Sequence, residues 1–125
     1  MDENELSNLI IGAAIEVHRT LGPGLLESVY EGALSFELRE RGLNVRQQQE
    51  LPVTYKGVEL HGSFRMDLLV NELVIVEIKA IERIQPIHEA QLLTYLKLAN
   101  KKLGLLLNFN STTIRTSVRR VVNNL

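Results

Sequence analysis

The chain contains no cysteine and no tryptophan, only three prolines, and three tyrosines and three phenylalanines as its whole aromatic complement. The lack of cysteine excludes a disulfide framework, a thiolate zinc site and a cysteine nucleophile, and fits a reducing, cytoplasmic setting. Six aromatic side chains are too few for the stacking platform of a single-strand binder. Neither sign of charge is in surplus: fourteen Lys plus Arg stand against fifteen Asp plus Glu, a formal charge of −1. Nucleic-acid binding would therefore have to rest on local patches. No apolar run approaches the length of a membrane span, and Met1 to Asn8 is acidic and polar, so neither membrane insertion nor a secretory leader is expected. What is present is an ordinary globular mixture, 45% hydrophobic and 23% charged. At 125 residues it fits a single domain over 1–125.

Periodicity divides the chain into a helical third, a strand-rich third and a mixed remainder. Leu6, Leu9, Ile10, Ala13, Ala14, Val17 and Leu21 recur at helical spacing up to the break at Gly22-Pro23-Gly24. A second helix follows, with Leu26, Val29, Tyr30, Ala33, Leu34 and Leu38 inward and Gly42 placed as a left-handed cap. The opening is thus a helical hairpin. From Val45 the pattern turns β-rich: Leu51, Val53 and Tyr55 alternate with polar residues, and a Lys56-Gly57 turn leads into Val58 to Phe64. Met66 to Val70 and Leu73 to Ile78 are near-continuous apolar runs, as expected of strands covered on both faces. Pro86 starts a third helix carrying Ile87, Ala90, Leu93 (or Leu92), Leu96 and Ala99 inward. Leu103 to Phe109 reads as a buried strand, and Val118 to Val122 as a short helix or strand. The order ααββββαβ describes an α/β fold: a mixed sheet with helices on both faces.

Asp67, Glu77 and Lys79 interrupt runs that should be apolar, and burying a charge is costly unless it is paired or bound to a metal. Glu77 and Lys79 are two apart on a strand, so they project from one face about 7 Å apart. A strict two-residue turn at Asn71-Glu72 would point Asp67 away from Glu77; an odd connection centred on Glu72, or a bulge, puts them opposite each other. The odd register is the one expected, because only then do two carboxylates and an ammonium converge. Such a pair is a hard-oxygen site suited to Mg²⁺ or Mn²⁺. The adjacent lysine could position a bound water or offset charge on a transferring phosphoryl group. The plainer account is a same-face ion pair at a strand end, with Asp67 beginning a turn.

The Asp67, Glu77-Ile78-Lys79 arrangement on a hairpin, preceded by a helix bearing Glu27 and followed by one bearing Gln91 and Tyr95, resembles the PD-(D/E)XK nuclease superfamily. Gly24-Leu25-Leu26-Glu27-Ser28-Val29-Tyr30 is similar to the signature of the GxxExxY family within it. The resemblance runs from about Leu9 to about Asn123. It implies a restriction-endonuclease-like core, with Asp67 and Glu77 as metal ligands, Glu27 as an additional acidic ligand and Lys79 as the catalytic lysine; the Ile78 backbone carbonyl is a further candidate donor beside them. Gln91 and Tyr95 resemble the Q-x-x-x-Y element that accompanies the site in some branches. Met66 stands where the superfamily name has proline.

Several of these residues also have simpler readings. Glu27 opens a helix, where a carboxylate is favoured by the dipole. Glu31 could share its face one turn on. Tyr30 at helical spacing suits packing with its hydroxyl on a polar partner. His88, at the start of the third helix, is a candidate site residue or a helix-end residue; His18 and His61 have weaker claims, and none has zinc-site spacing. Arg39, Arg41 and Arg46, then Lys97, Lys101 and Lys102, then Arg115, Arg119 and Arg120 are the clusters that could contact phosphates, or simply solvated charge. The expectation is a cytoplasmic, Mg²⁺- or Mn²⁺-dependent nuclease acting on DNA in preference to RNA, with a homodimer or protein partner. The alternative is a non-catalytic nucleic-acid- or protein-binding module on the same scaffold.

Overall fold

Helix α1, Glu3–Leu21, starts where the Asp2 carboxylate accepts the Glu5 N–H at 2.8 Å, with Glu3 and Glu5 favourably placed in its first turn. It ends at Gly22, whose φ of 72° only glycine adopts freely and whose N–H donates to the His18 carbonyl. Helix α2, Glu27–Glu40, leaves in the opposite sense and completes the expected hairpin. The structure, a computed structural model, describes residues 1–62 and 64–125.

A buried tyrosine fixes the turn between the helices. The Tyr30 hydroxyl donates to the Gly22 carbonyl at 2.5 Å and accepts the Leu25 N–H at 3.1 Å. Its ring stacks on Phe109 with centroids 4.7 Å apart. Tyr30, Leu34 and Leu38 form the buried seam of α2, whereas Leu26 and Val29, expected inward, are exposed. Leu26 precedes the first helical turn with extended backbone, and Val29 lies about 100° round the helix from Tyr30. A seam of residues four apart leaves Val29 outside, and Leu26, although four positions before Tyr30, is not yet helical.

The described residues form one five-stranded sheet in the order β1 (Val45–Glu50), β4 (Arg65–Val70), β5 (Val74–Lys79), β6 (Leu103–Asn108), β7 (Arg119–Val122). Neighbours run antiparallel except β5 and β6, which are parallel and joined by α3, Pro86–Ala99. Helices α1 and α2 cover one face through Leu6, Ile10 and Leu34 against Leu68, Val76 and Leu105. Helix α3 covers the other through Leu92, Tyr95 and Leu96 against Leu69, Ile75 and Leu106. In α3 it is Leu92 that is buried; Ile87, at 69% exposure, is not inward. The expected α/β sandwich is found with more strands than its outline held. After Leu51, whose N–H reaches the Phe64 carbonyl at 2.9 Å, Pro52 has no N–H to continue the ladder. The next residues form a separate hairpin of β2 (Val53–Tyr55) and β3 (Val58–Leu60) closed by Lys56-Gly57. The ambiguous tail resolves as edge strand β7. Among the described residues no helix is long and apolar enough to cross a membrane.

Candidate functional site

Strands β4 and β5 pair Leu68 with Val76, Leu69 with Ile75 and Val70 with Val74, an odd register centred on Glu72. The three-residue connection achieves it with Asn71 and Glu72 both left-handed, at φ 52° and 57°. Continuing that register sets Asp67 across from Glu77, but there side chains replace the backbone ladder. The Asp67 N–H donates to Glu77 Oε2 at 2.8 Å, and the Ile78 N–H donates to Asp67 Oδ2 at 2.8 Å. Each carboxylate thus takes an amide of the facing strand, while β5 continues beside β6 as far as Lys79 opposite Asn108.

Helix α2 brings two more carboxylates to this point. Glu27, its first residue, accepts the Ala80 N–H through Oε2 at 3.3 Å, tethering the helix start to the end of β5. One turn on, Glu31 accepts from Gln48 Nε2 at 2.8 Å and from Gln47 Nε2 at 3.3 Å. Gln48 Nε2 also donates to Asp67 Oδ1 at 3.3 Å.

The electrostatics follow from burial and like charge. Glu77 is 6% exposed, and burial first, then the charge of Asp67, push its carboxyl up to about 8. Burial is also the main cause raising Asp67, against the Ile78 and Gln48 hydrogen bonds and the Lys79 charge, which lower it. Glu31 is raised by burial and by Asp67. Lys79 acts on Asp67 and Glu77 without a direct ion pair; the lysine and arginine ion pairs of the described residues are Arg19–Glu16, Arg41–Glu37 and Arg46–Glu72. Burial, then Glu77 and Asp67, raise the Tyr95 hydroxyl, whose ring meets Phe64 edge-on at 5.8 Å.

This oxygen-only donor set suits a hard divalent cation, and each central carboxylate keeps one oxygen free of backbone amides, Asp67 Oδ1 and Glu77 Oε1. Among the described residues no three acidic or histidine side chains close around one point, so Glu27, Asp67 and Glu77 do not form a closed cage. Such a set would leave most of a cation's shell to water, as Mg²⁺ prefers.

The other residues singled out from the sequence fall into distinct places. Tyr30 is a core and turn residue rather than part of the carboxylate cluster. His88 caps α3, its Nδ1 accepting the Gln85 N–H at 2.9 Å. His18 bonds the Ser111 carbonyl through Nε2, and His61 lies 3.9 Å from Glu50. Gln91 is exposed on α3 one turn before the buried Tyr95. Ile78 enters the cluster through its N–H. Arg39 is bound to the Val45 carbonyl, Arg41 to Glu37, Arg46 to Glu72, Arg119 to the Val118 carbonyl and Arg120 to Asn4. Lys97 lies in the last turn of α3 with Lys101 and Lys102 just beyond it, and Arg115 opens a 3₁₀ turn, Arg115–Ser117. Gln47 and Gln48 were not legible as site residues: a polar run in a strand reads as a solvated edge, and only pairing sets Gln48 across from Asp67.

No curated protein and no solved structure matches the chain. The family description of the PD-(D/E)XK nuclease superfamily matches residues 4–121, nearly its whole length. With its mixed sheet, flanking helices and paired carboxylates at the parting of β4 and β5, the chain belongs to the PD-(D/E)XK nuclease superfamily.

Proposed function

We propose that this chain is a divalent-metal-dependent nuclease that hydrolyses phosphodiester bonds, with DNA preferred over RNA. The observation that carries the reading is the reciprocal lock of Asp67 and Glu77 where β4 and β5 part, with Lys79 following on the same face of β5. Asp67 and Glu77 would hold Mg²⁺ or Mn²⁺ through their remaining oxygens, with Glu27, which the superfamily pattern suggests, and the Ile78 carbonyl as further donors. When bound, the ion supplies an acidified water and a Lewis acid for the phosphoryl oxygen. Lys79 offsets negative charge that builds on the phosphoryl group. Tyr95, within electrostatic reach of both carboxylates, and Gln91 orient the scissile phosphate or the lysine. Lys97, Lys101, Lys102 and Arg115, exposed or partly exposed and without side-chain ion pairs among the described residues, are the phosphate contacts, and binding through them would weaken steeply with salt.

The test is cleavage of plasmid, single-stranded DNA and RNA by the purified chain with Mg²⁺ or Mn²⁺, beside Asp67→Ala and Lys79→Ala. Both substitutions are expected to lower the rate by at least about 100-fold. Activity that survives them is contamination and removes the proposal. A second reading is favoured by the structural task the carboxylates already perform in tying β4 to β5: a binding module that keeps the lock without turnover. Calorimetry would identify it as divalent binding that is lost in Glu77→Ala, with no cleavage by the wild-type chain.

A further inference from the structure

Gln48 combines two features that do not normally occur together. It lies within edge strand β1, where Gln47 pairs with Leu68 and Gln49 with Met66, so its partner across the ladder is Asp67. Yet its φ is 52°, a left-handed conformation that a long L side chain seldom adopts. No residue is inserted to explain it, since the register is the same on either side. The strained backbone brings the Gln48 side chain into the cluster instead. Its single amide nitrogen donates to Glu31 Oε1 at 2.8 Å and to Asp67 Oδ1 at 3.3 Å, joining α2 to β4. Those two carboxylates repel each other, and a neutral amide with two hydrogens can satisfy both at once.

We propose that Gln48 is a positioning residue of the nuclease site, holding the Asp67 oxygen that faces away from the backbone while Ile78 fixes the other. Both oxygens of Asp67 are then constrained, one by the main chain of β5 and one by the exposed Gln48 side chain, which Glu31 holds in turn. A carboxylate aimed in advance loses less freedom when it takes up its role, so the contribution appears in the chemical step rather than in substrate affinity. This inference rests on the nuclease reading.

Gln48→Gly removes both the amide and the strain, whereas Gln48→Met keeps the length and the strain but removes the donors. In the full chain with Mn²⁺ and a DNA substrate, both variants are expected to lower kcat by about 10- to 100-fold, with KM within about twofold of wild type. Melting of Gln48→Gly without divalent ions should occur at or above the wild-type temperature, because the left-handed backbone suits glycine. Loss of activity without loss of stability supports the proposal. Wild-type kcat in both variants overturns it and leaves the nuclease reading standing, and so does a loss of cleavage matched by a lowered melting temperature in both. If the wild-type chain neither cleaves nor binds Mn²⁺, the nuclease reading fails and this inference falls with it.

Discussion

Tyr30 illustrates how one side chain can look like a site residue and act as a hinge pin. It follows Glu27 by three positions, yet its hydroxyl closes the Gly22 to Leu25 turn and its ring is sealed against Phe109. Phenylalanine would keep the stacking and leave the Gly22 carbonyl and Leu25 N–H without their partner. Tyr30→Phe is therefore expected to cost about 1 kcal/mol, a fall of about 4 °C in melting temperature, with divalent affinity unchanged in calorimetry. A large loss of ion binding at unchanged stability would instead return Tyr30 to the site. Glu27 stands between the two roles: it opens α2 where the dipole favours a carboxylate, and it also receives the Ala80 N–H, linking the helix to the end of β5. The Gly24-to-Tyr30 segment is thus mechanically coherent without reference to catalysis: glycine supplies the turn, glutamate the tie to the sheet, and tyrosine the lock.

At the scale of elements, α3 and β6 approach unusually closely. A Cβ on Gly104 would lie 2.8 Å from the Leu92 side chain, which is itself 1% exposed and has little room to yield. Gly104→Ala should therefore destabilise by about 1–3 kcal/mol in denaturant unfolding, through overpacking, despite the better strand propensity of alanine. A neutral or stabilising result would mean that α3 slides freely over the sheet. The same scale explains which parts of the sequence reading were coarse. Long amphipathic patterns gave α1, α2 and α3, because a helix that buries one face must repeat its apolar residues. The Lys56-Gly57 hairpin was legible, but its separation from the main sheet was not, because only Pro52, by ending the pairing of β1 with β4, sets β2 and β3 apart.

For the whole molecule, three carboxyls drawn into one cluster make stability depend on pH in an unusual direction. Glu77 titrates near its ordinary value of 4.5 when unfolded and at about 8 when folded, and Asp67 and Glu31 shift the same way. Below about pH 4.5 this acid is protonated in both states and imposes no penalty. As pH rises towards 8 the unfolded chain releases protons that the folded chain retains, so stability falls, and it levels off above that. In chelator, melting is therefore expected to be higher near pH 5 than near pH 8. Glu77→Gln, which can still accept the Asp67 N–H, should flatten the decline and raise the melting temperature at pH 8. A wild-type profile that rises across this window would show that Glu77 is ionised in the folded chain.

The sequence by itself determined the element types, the layered architecture and the presence of acidic groups where apolar ones belong, because periodicity and misplaced charge are local properties. It also favoured the odd register of β4 and β5, since only that parity joins Asp67 to Glu77, and the left-handed Asn71 and Glu72 supply it. Tertiary structure alone decided that the carboxylates lock onto each other's backbone amides, that Glu31 meets Asp67 through Gln48, and that most of the arginines serve their own chain. Those outcomes depend on distances between segments remote in sequence. Hydrogen bonds and like-charge repulsion act over a few ångströms, and no local pattern records which groups folding will bring that close.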